Sequence, residues 1–181
     1  AEKYELTLAD AKEAEETEAT IKDLDAIKAA GKMIIGITDY APMNYKDDNG
    51  ELIGFETEFA KAVCAELGIN AKFQEISWAA KETELAGKSI DCIWNGMTIT
   101  AEREEAMDIS TPYLANKQVL VVKADKLAEI KALENGKGLN VVAEKESAGE
   151  EVATTDAYFA EANYTAVDTQ SKALTEVKSG T

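Results

Sequence analysis

Apolar positions along the chain come in short runs that switch between a strand-like and a helix-like period. Met33-Ile-Ile-Gly-Ile37 is a continuous apolar, β-branched run, the pattern of a strand buried on both faces of a parallel sheet. Tyr40-Ala-Pro-Met43 breaks it, and the turn signal Asp47-Asp-Asn-Gly50 predicts a small hairpin from residues 43–46 and 51–54. A helix is predicted over 55–67, with Phe59, Val63 and Leu67 on one stripe and Gly68 as its stop. Strand 71–76, helix 81–86 ended by Gly87, and strand 90–94 follow. A helical turn after Thr100 leads to a further apolar strand at 118–123. Beyond it the same alternation resumes: helix 127–134, strand 140–143, helix 147–159, strand 164–167 and helix 171–178. Strands alternating with helices predict an α/β chain with parallel, right-handed, doubly wound sheets, in which ligands gather at the carboxyl ends of the strands.

The start of the chain differs. Residues 1–23 are dominated by Glu, Asp, Ala and Thr, with Thr7 and Asp10 spaced as a capping box, and read as an acidic helical tether. Leu24, Ile27 and the terminator Gly31 then describe a short amphipathic helix at which the globular part begins. The organisation expected is a tether over 1–23, a first lobe over 24–116, a hinge or crossover strand over 117–123, and part of a second lobe over 124–181.

Composition removes whole classes of function. A net charge of −16 and a pI near 4.4 repel phosphate backbones and anionic lipid, so nucleic acid is not an expected partner. The longest apolar run, 33–37, is far short of the ~20 residues of a membrane-spanning helix. The absence of histidine excludes His-based triads, His metal ligands and His general bases, and no metal or cofactor is expected. Cys64 falls in a helical run and Cys92 in a strand run; two buried thiols and one disulfide both fit them.

Several segments together resemble the polar-amino-acid class of bacterial extracytoplasmic solute-binding proteins, in that family's order. They are Gly36-Ile-Thr-Asp-Tyr-Ala-Pro42, Asp48-Asn-Gly-Glu-Leu-Ile-Gly-Phe55, Asp91-Cys-Ile-Trp-Asn-Gly-Met-Thr-Ile-Thr-Ala-Glu-Arg103, Asp108-Ile-Ser-Thr-Pro-Tyr113, the run 118–123, and Leu174-Thr-Glu-Val-Lys-Ser-Gly180. The resemblance implies a two-lobed periplasmic-binding-protein fold, type II-like, exported with its signal peptide removed, either to the periplasm or to a lipid anchor at the outer face of the cell membrane. It implies a non-enzymatic clamp that captures a free amino acid between its lobes and presents it to the membrane permease of an ABC importer.

The resemblance also assigns site residues. Arg103 is similar to the family's carboxylate-binding arginine, whose planar fork makes two parallel charge-assisted bonds that Lys cannot reproduce. Asn95, Gly96, Met97 and Thr98 resemble the floor of the site, Gly96 letting the backbone approach and Thr98 donating to the carboxylate. Tyr40 and Phe55 look like its aromatic walls, and Asp39 is the candidate for a polar ligand terminus. Ser147 and Ala148 open a helix whose N-terminus suits a carboxylate. Relatives usually carry Gly just before that Ser; here it is Glu146, whose side chain restricts the turn and adds negative charge. Trp94, opposite Asn95 in strand alternation, reads as core.

In the family, a carboxylate beyond the Lys-Ser-Gly signal pairs with the ligand ammonium, and the chain then returns to the first lobe. The second lobe is therefore expected to be unfinished at Thr181, with Leu174 and Val177 uncovered and self-association through that face. Ala1-Glu-Lys-Tyr4 resembles the way such proteins end. Two other functions fit the same clamp. A sensory ectodomain would need a membrane segment after residue 181. A dehydratase-like enzyme would have Asp39, Glu56, Glu144 or Glu146 as its base.

Overall fold

A computed structural model describes residues 18–180. The capping-box candidates Thr7 and Asp10 lie outside the described residues. The first helix, α1 (Glu18–Ala30), starts earlier than Leu24 and ends at Gly31, whose φ of 68° is the left-handed stop the sequence signals. Ile27 on this helix packs against the core.

The first unit is built on β1 (Lys32–Ile37), β4 (Asn70–Glu75) and β5 (Cys92–Ile93), all parallel, in the order β4-β1-β5. β1 is central because its run is apolar on both faces: Ile35 and Ile37 are buried, with Ile35 opposite Phe73 on one side and Cys92 on the other. β2 (Tyr45–Lys46) and β3 (Leu52–Ile53) form the expected hairpin around Asp47–Gly50. Asp47 Oδ1 accepts the Asn49 and Glu51 backbone N–H groups and fixes that turn.

Helix α2 (Phe55–Glu66) packs on β4, and its buried line is Glu56, Thr57, Ala60 and Cys64. The expected stripe of Phe59, Val63 and Leu67 is half-buried and flanks that line. The line is rotated because the N-terminus of α2 is tied inward. No side chain caps this end; instead the Phe55 N–H donates to the Pro42 carbonyl and the Glu56 N–H to the Met43 carbonyl. This approach requires Gly54, at φ 125°, since a Cβ there would stand 2.2 Å from the Met43 carbonyl oxygen. After a 3₁₀ turn at Trp78–Ala80 come α3 (Lys81–Ala86) and, past β5, α4 (Ala101–Ala106).

The second unit holds α5 (Leu127–Lys131), β6 (Asn140–Glu144), α6 (Ala148–Thr155), β7 (Asn163–Val167) and α7 (Gln170–Ser179). β6 and β7 pair in parallel, and α6 and α7 both contact β6. The predicted helix 147–159 is shorter than expected: α6 ends at Thr155, and Asp156 caps a separate 3₁₀ turn at Ala157–Phe159 through the Tyr158 N–H. Leu174 is 50% exposed and Val177 half-buried.

The strand predicted at 118–123 is not formed. Val119 is 73% exposed, and Leu120 and Val121 are also exposed. Among the described residues no strand lies beside this segment, so its N–H and C=O groups have no ladder to join. Both cysteines are free thiols. Burial pushes the Cys92 thiol up to about 12 and raises Cys64, which fits inert small hydrophobes.

Candidate functional site

A cavity of about 250 Å³ lies between the two units. Tyr40, Asn95, Gly96, Thr98, Arg103, Ser147 and Ala148, all expected on sequence grounds, line it together. Met97 faces a larger cavity of about 910 Å³. That larger space is lined by apolar side chains such as Met33, Phe59 and Trp94, and its charged lining is Glu56, Asp91 and Asp108, with no cation to meet a carboxylate. The smaller, charged cavity is therefore the candidate site. Phe55 and Asp39 line neither. Phe55 is 51% exposed, its ring 6.1 Å from that of Phe59, because α2 turns its inner line onto Glu56 and Thr57. Asp39 is exposed, and its backbone carbonyl accepts from Ser171 Oγ at 3.3 Å.

The floor is held by a buried polar network. The Thr38 N–H donates to Asn95 Oδ1 at 2.9 Å, and Asn95 Nδ2 donates to Thr38 Oγ1 at 2.6 Å. Asn44 Nδ2 is shared among the Trp94 carbonyl, Asn95 Oδ1 and Glu56 Oε2, while Asn44 Oδ1 accepts from Thr57 Oγ1. Tyr113 donates to Glu56 Oε1 at 2.6 Å, and the Gly96 backbone also bonds this carboxylate. Burial raises the pKa of Glu56 and these hydrogen bonds oppose the rise. The network joins β1, the hairpin loop, α2 and the segment after β5, so the Asn95–Gly96 backbone is fixed before any ligand arrives.

Gly96 has φ 60°, and a Cβ on it would stand 3.1 Å from the Tyr40 ring. The aromatic wall thus rests directly on the glycine floor. Burial, with Glu56 and Glu144 nearby, raises the Tyr40 pKa, so its hydroxyl stays protonated at neutral pH.

Arg103 is buried, at 8% exposure, and bridges the units. Thr100 caps α4 by accepting the Arg103 N–H, which seats the side chain at the helix start. Its Nη1 donates to the Thr98 carbonyl at 2.7 Å and its Nη2 to the Glu146 carbonyl at 3.1 Å. A guanidinium has five N–H donors, so others remain for a ligand carboxylate. Thr98 Oγ1 is held by Asn116 and Gln118 at 3.0 and 3.4 Å.

Across the cavity, Ser147 Oγ caps α6 by accepting the Glu150 N–H at 3.1 Å. The first N–H groups of a helix lack intrahelical acceptors, which leaves those of Ala148 and Gly149 for an anion. Glu146 adopts φ 59°, a left-handed conformation that costs a non-glycine residue energy. Its N–H is held by Glu150 Oε2 at 2.6 Å and its carbonyl by Arg103, so both sides of the turn are tied down.

Sequence reasoning did not place Trp78, Gln118, Gly149, Gln170 and Leu174 on this cavity, and it named Glu144, which also lines it, only as a conceivable base of an enzyme. Glu144 ends β6 with 3% exposure, and burial pushes its carboxyl up to about 7, against a hydrogen bond from Gln170 and the charge of Lys81. A carboxylate closing a buried strand was the visible signal. Among the described residues no group of three or more His, Cys, Asp or Glu is placed to hold a metal ion, and no helix is long and apolar enough to cross a membrane.

The chain is similar to proteins that are named for binding amino acids. It is 34% identical over 119 residues to the L-cystine-binding protein TcyJ of Escherichia coli, covering 65% of this chain and 45% of that protein. It is 34% identical to the glutamine-binding protein GlnH of Bacillus subtilis, covering 87% of this chain and 58% of that one. It thus spans about half the length of these relatives. Among solved structures, an ancestral amino acid-binding protein, described as a precursor of cyclohexadienyl dehydratase, superposes with TM-score 0.81 at 32% identity, over 87% of this chain and 70% of that one. An amino acid ABC transporter substrate-binding protein from Streptococcus pneumoniae, bound to L-arginine, gives TM-score 0.81 at 26% identity, over 87% and 67%. These neighbours have the two-lobed α/β fold, of which this chain covers part. With residues 33–181 matching the family model, the chain belongs to the bacterial extracellular solute-binding proteins, family 3.

Proposed function

We propose that the chain is the ligand-capturing part of a substrate-binding protein of an amino-acid ABC importer. In this reading it works outside the cytoplasm, holds one free amino acid in the cavity between its units, and presents it to a membrane permease. The observation that carries the reading is the meeting, in one small cavity, of a buried arginine fork and a helix N-terminus from opposite units, over a pre-formed floor of Asn95, Gly96 and Thr98. A free amino acid has a carboxylate that this pair of donors fits, and its side chain would lie along Tyr40. Because Arg103 bonds to Glu146 across the cleft, a ligand carboxylate joining them would favour the closed arrangement over an open one. The relatives named for cystine, glutamine and arginine binding agree with this reading and leave the side-chain preference open.

In the same reading the cavity binds and releases its ligand unchanged. A dehydratase-like activity would need a base above the substrate, and incubation with prephenate-like acids would reveal it by product formation. The direct test is a thermal-shift screen against the free amino acids. A ligand at a hundred times its dissociation constant adds about 2.7 kcal/mol of stability, so a true ligand raises the melting temperature visibly. If none of them raises it, the proposal fails.

A further inference from the structure

Glu144 is the cavity side chain with one carboxylate oxygen that no described residue satisfies. It is 97% withdrawn from solvent, its exposure being 3%, yet among the described residues its Oε1 has no hydrogen-bond partner, although it lines the cavity together with Arg103, Tyr40 and Ser147. A buried acceptor left unpaired is costly, and the large majority of buried polar side-chain atoms in folded proteins are paired. The groups around it come from several elements. Gln170, at the start of α7, gives it a hydrogen bond; Tyr40 comes from the loop after β1 and Lys81 from α3. Lys81 does not neutralise it: its Nζ lies 3.6 Å from Glu82 and 5.2 Å from the centre of the Trp78 ring, and Glu82 is its ion-pair partner among the described residues. Tyr40 and Trp78 also line the cavity, and aromatic faces accept a cation at little desolvation cost.

Accepting the proposed function, we infer that Glu144 is the specificity-determining residue of the cavity and that it selects amino acids whose side chain ends in a cation, such as arginine, lysine or ornithine. The ligand carboxylate takes Arg103 and the N-terminus of α6, and the distal ammonium or guanidinium satisfies Glu144 Oε1. A neutral side chain of the same length offers that oxygen only an uncharged donor and leaves the buried carboxylate without a counter-charge, so the site discriminates against such an analogue. Binding the cation also draws the Glu144 carboxyl into its ionised form, so uptake of a cationic ligand near neutral pH releases protons.

The test is calorimetry near pH 8.5 on the 181-residue chain and on Glu144→Gln, with arginine and its neutral isostere citrulline, and with lysine and glutamine. The expected result is a preference of at least tenfold for arginine over citrulline in the unaltered chain, reduced to threefold or less in Glu144→Gln. Equal affinity for arginine and citrulline in the unaltered chain overturns the inference, whatever the variant does. An unchanged preference in Glu144→Gln also overturns it. A loss in Glu144→Gln that is equal for all four ligands overturns it too, since Glu144 would then hold the shared α-ammonium. Tight binding of neutral amino acids alone sinks this inference and leaves the receptor function standing. If no amino acid binds, the receptor function falls and this inference with it.

Discussion

Replacing Glu144 by Gln should make the unliganded protein more stable at alkaline pH and leave it nearly unchanged at pH 4.5. Glu144 is buried at the end of β6, and burial raises its carboxyl from an ordinary 4.5 to about 7. Well below pH 4.5 the folded and unfolded chains both carry the proton, and the group has no effect on the equilibrium. Between 4.5 and about 7 the folded chain holds a proton that the unfolded chain has lost, so stability falls as pH rises. Above about 7 the fall is complete. A rise from 4.5 to about 7 corresponds to about 3 kcal/mol. Glutamine keeps the shape and carries no charge, so the difference between the two proteins isolates this group from Glu56, whose pKa burial also raises. The assay is urea unfolding at pH 4.5, 6, 7 and 8.5 on both proteins. The stability of Glu144→Gln relative to the unaltered chain should climb by about 3 kcal/mol across that range, most steeply between 5 and 7. A difference that stays within about 0.5 kcal/mol at every pH would show that Glu144 keeps an ordinary pKa in the fold, and the strained, cation-seeking carboxylate would have to be abandoned.

Other substitutions separate cavity from core. Tyr40→Ala should weaken amino-acid binding by calorimetry with little change in melting. Trp94→Ala should cost about 3 kcal/mol in urea unfolding, because that ring packs on the core and edge-on against Phe59 at 5.3 Å; a neutral Trp94→Ala would invert the assigned faces. Glu146→Gly should raise stability by about 0.5–1 kcal/mol, since the relief of a left-handed φ of 59° exceeds the extra chain entropy of glycine; a lowered melting temperature would mean that the Glu146 side chain stabilises the turn.

Much of the first unit was legible because its patterns are local. The run 33–37 is apolar on both faces and became the central strand; Gly31 and Gly68 stop helices where the residue pattern says they should. The resemblance named Asn95, Gly96, Thr98 and Arg103 together, and they line one cavity. The failures share a cause: they depend on what lies opposite a residue. The segment 118–123 has strand-like composition, but a strand exists only with a neighbour to pair with, and none is present among the described residues. The α2 stripe was misplaced by one position per turn because its orientation is set by the Pro42 and Met43 carbonyls, which no periodicity reports. That rotation also carries Phe55 away from the cavity and brings Glu56 against Gly96, whose backbone N–H donates to its carboxylate. Glu144 was noticed only as a conceivable base; its place on the same cavity as Arg103 depends on how the second unit sits against the first.

The central claim is that Arg103 receives the carboxylate of a free amino acid. It is tested most directly by calorimetry of the best ligand from the thermal-shift screen on the unaltered chain and on Arg103→Lys. Lysine keeps the charge but loses the fork that reaches the Thr98 and Glu146 carbonyls while still donating to a ligand. The predicted result is a loss of about 2–4 kcal/mol, on the order of a hundredfold in dissociation constant, with a folded variant by circular dichroism. An affinity within threefold of the unaltered chain would contradict the account, because the carboxylate would then be held elsewhere.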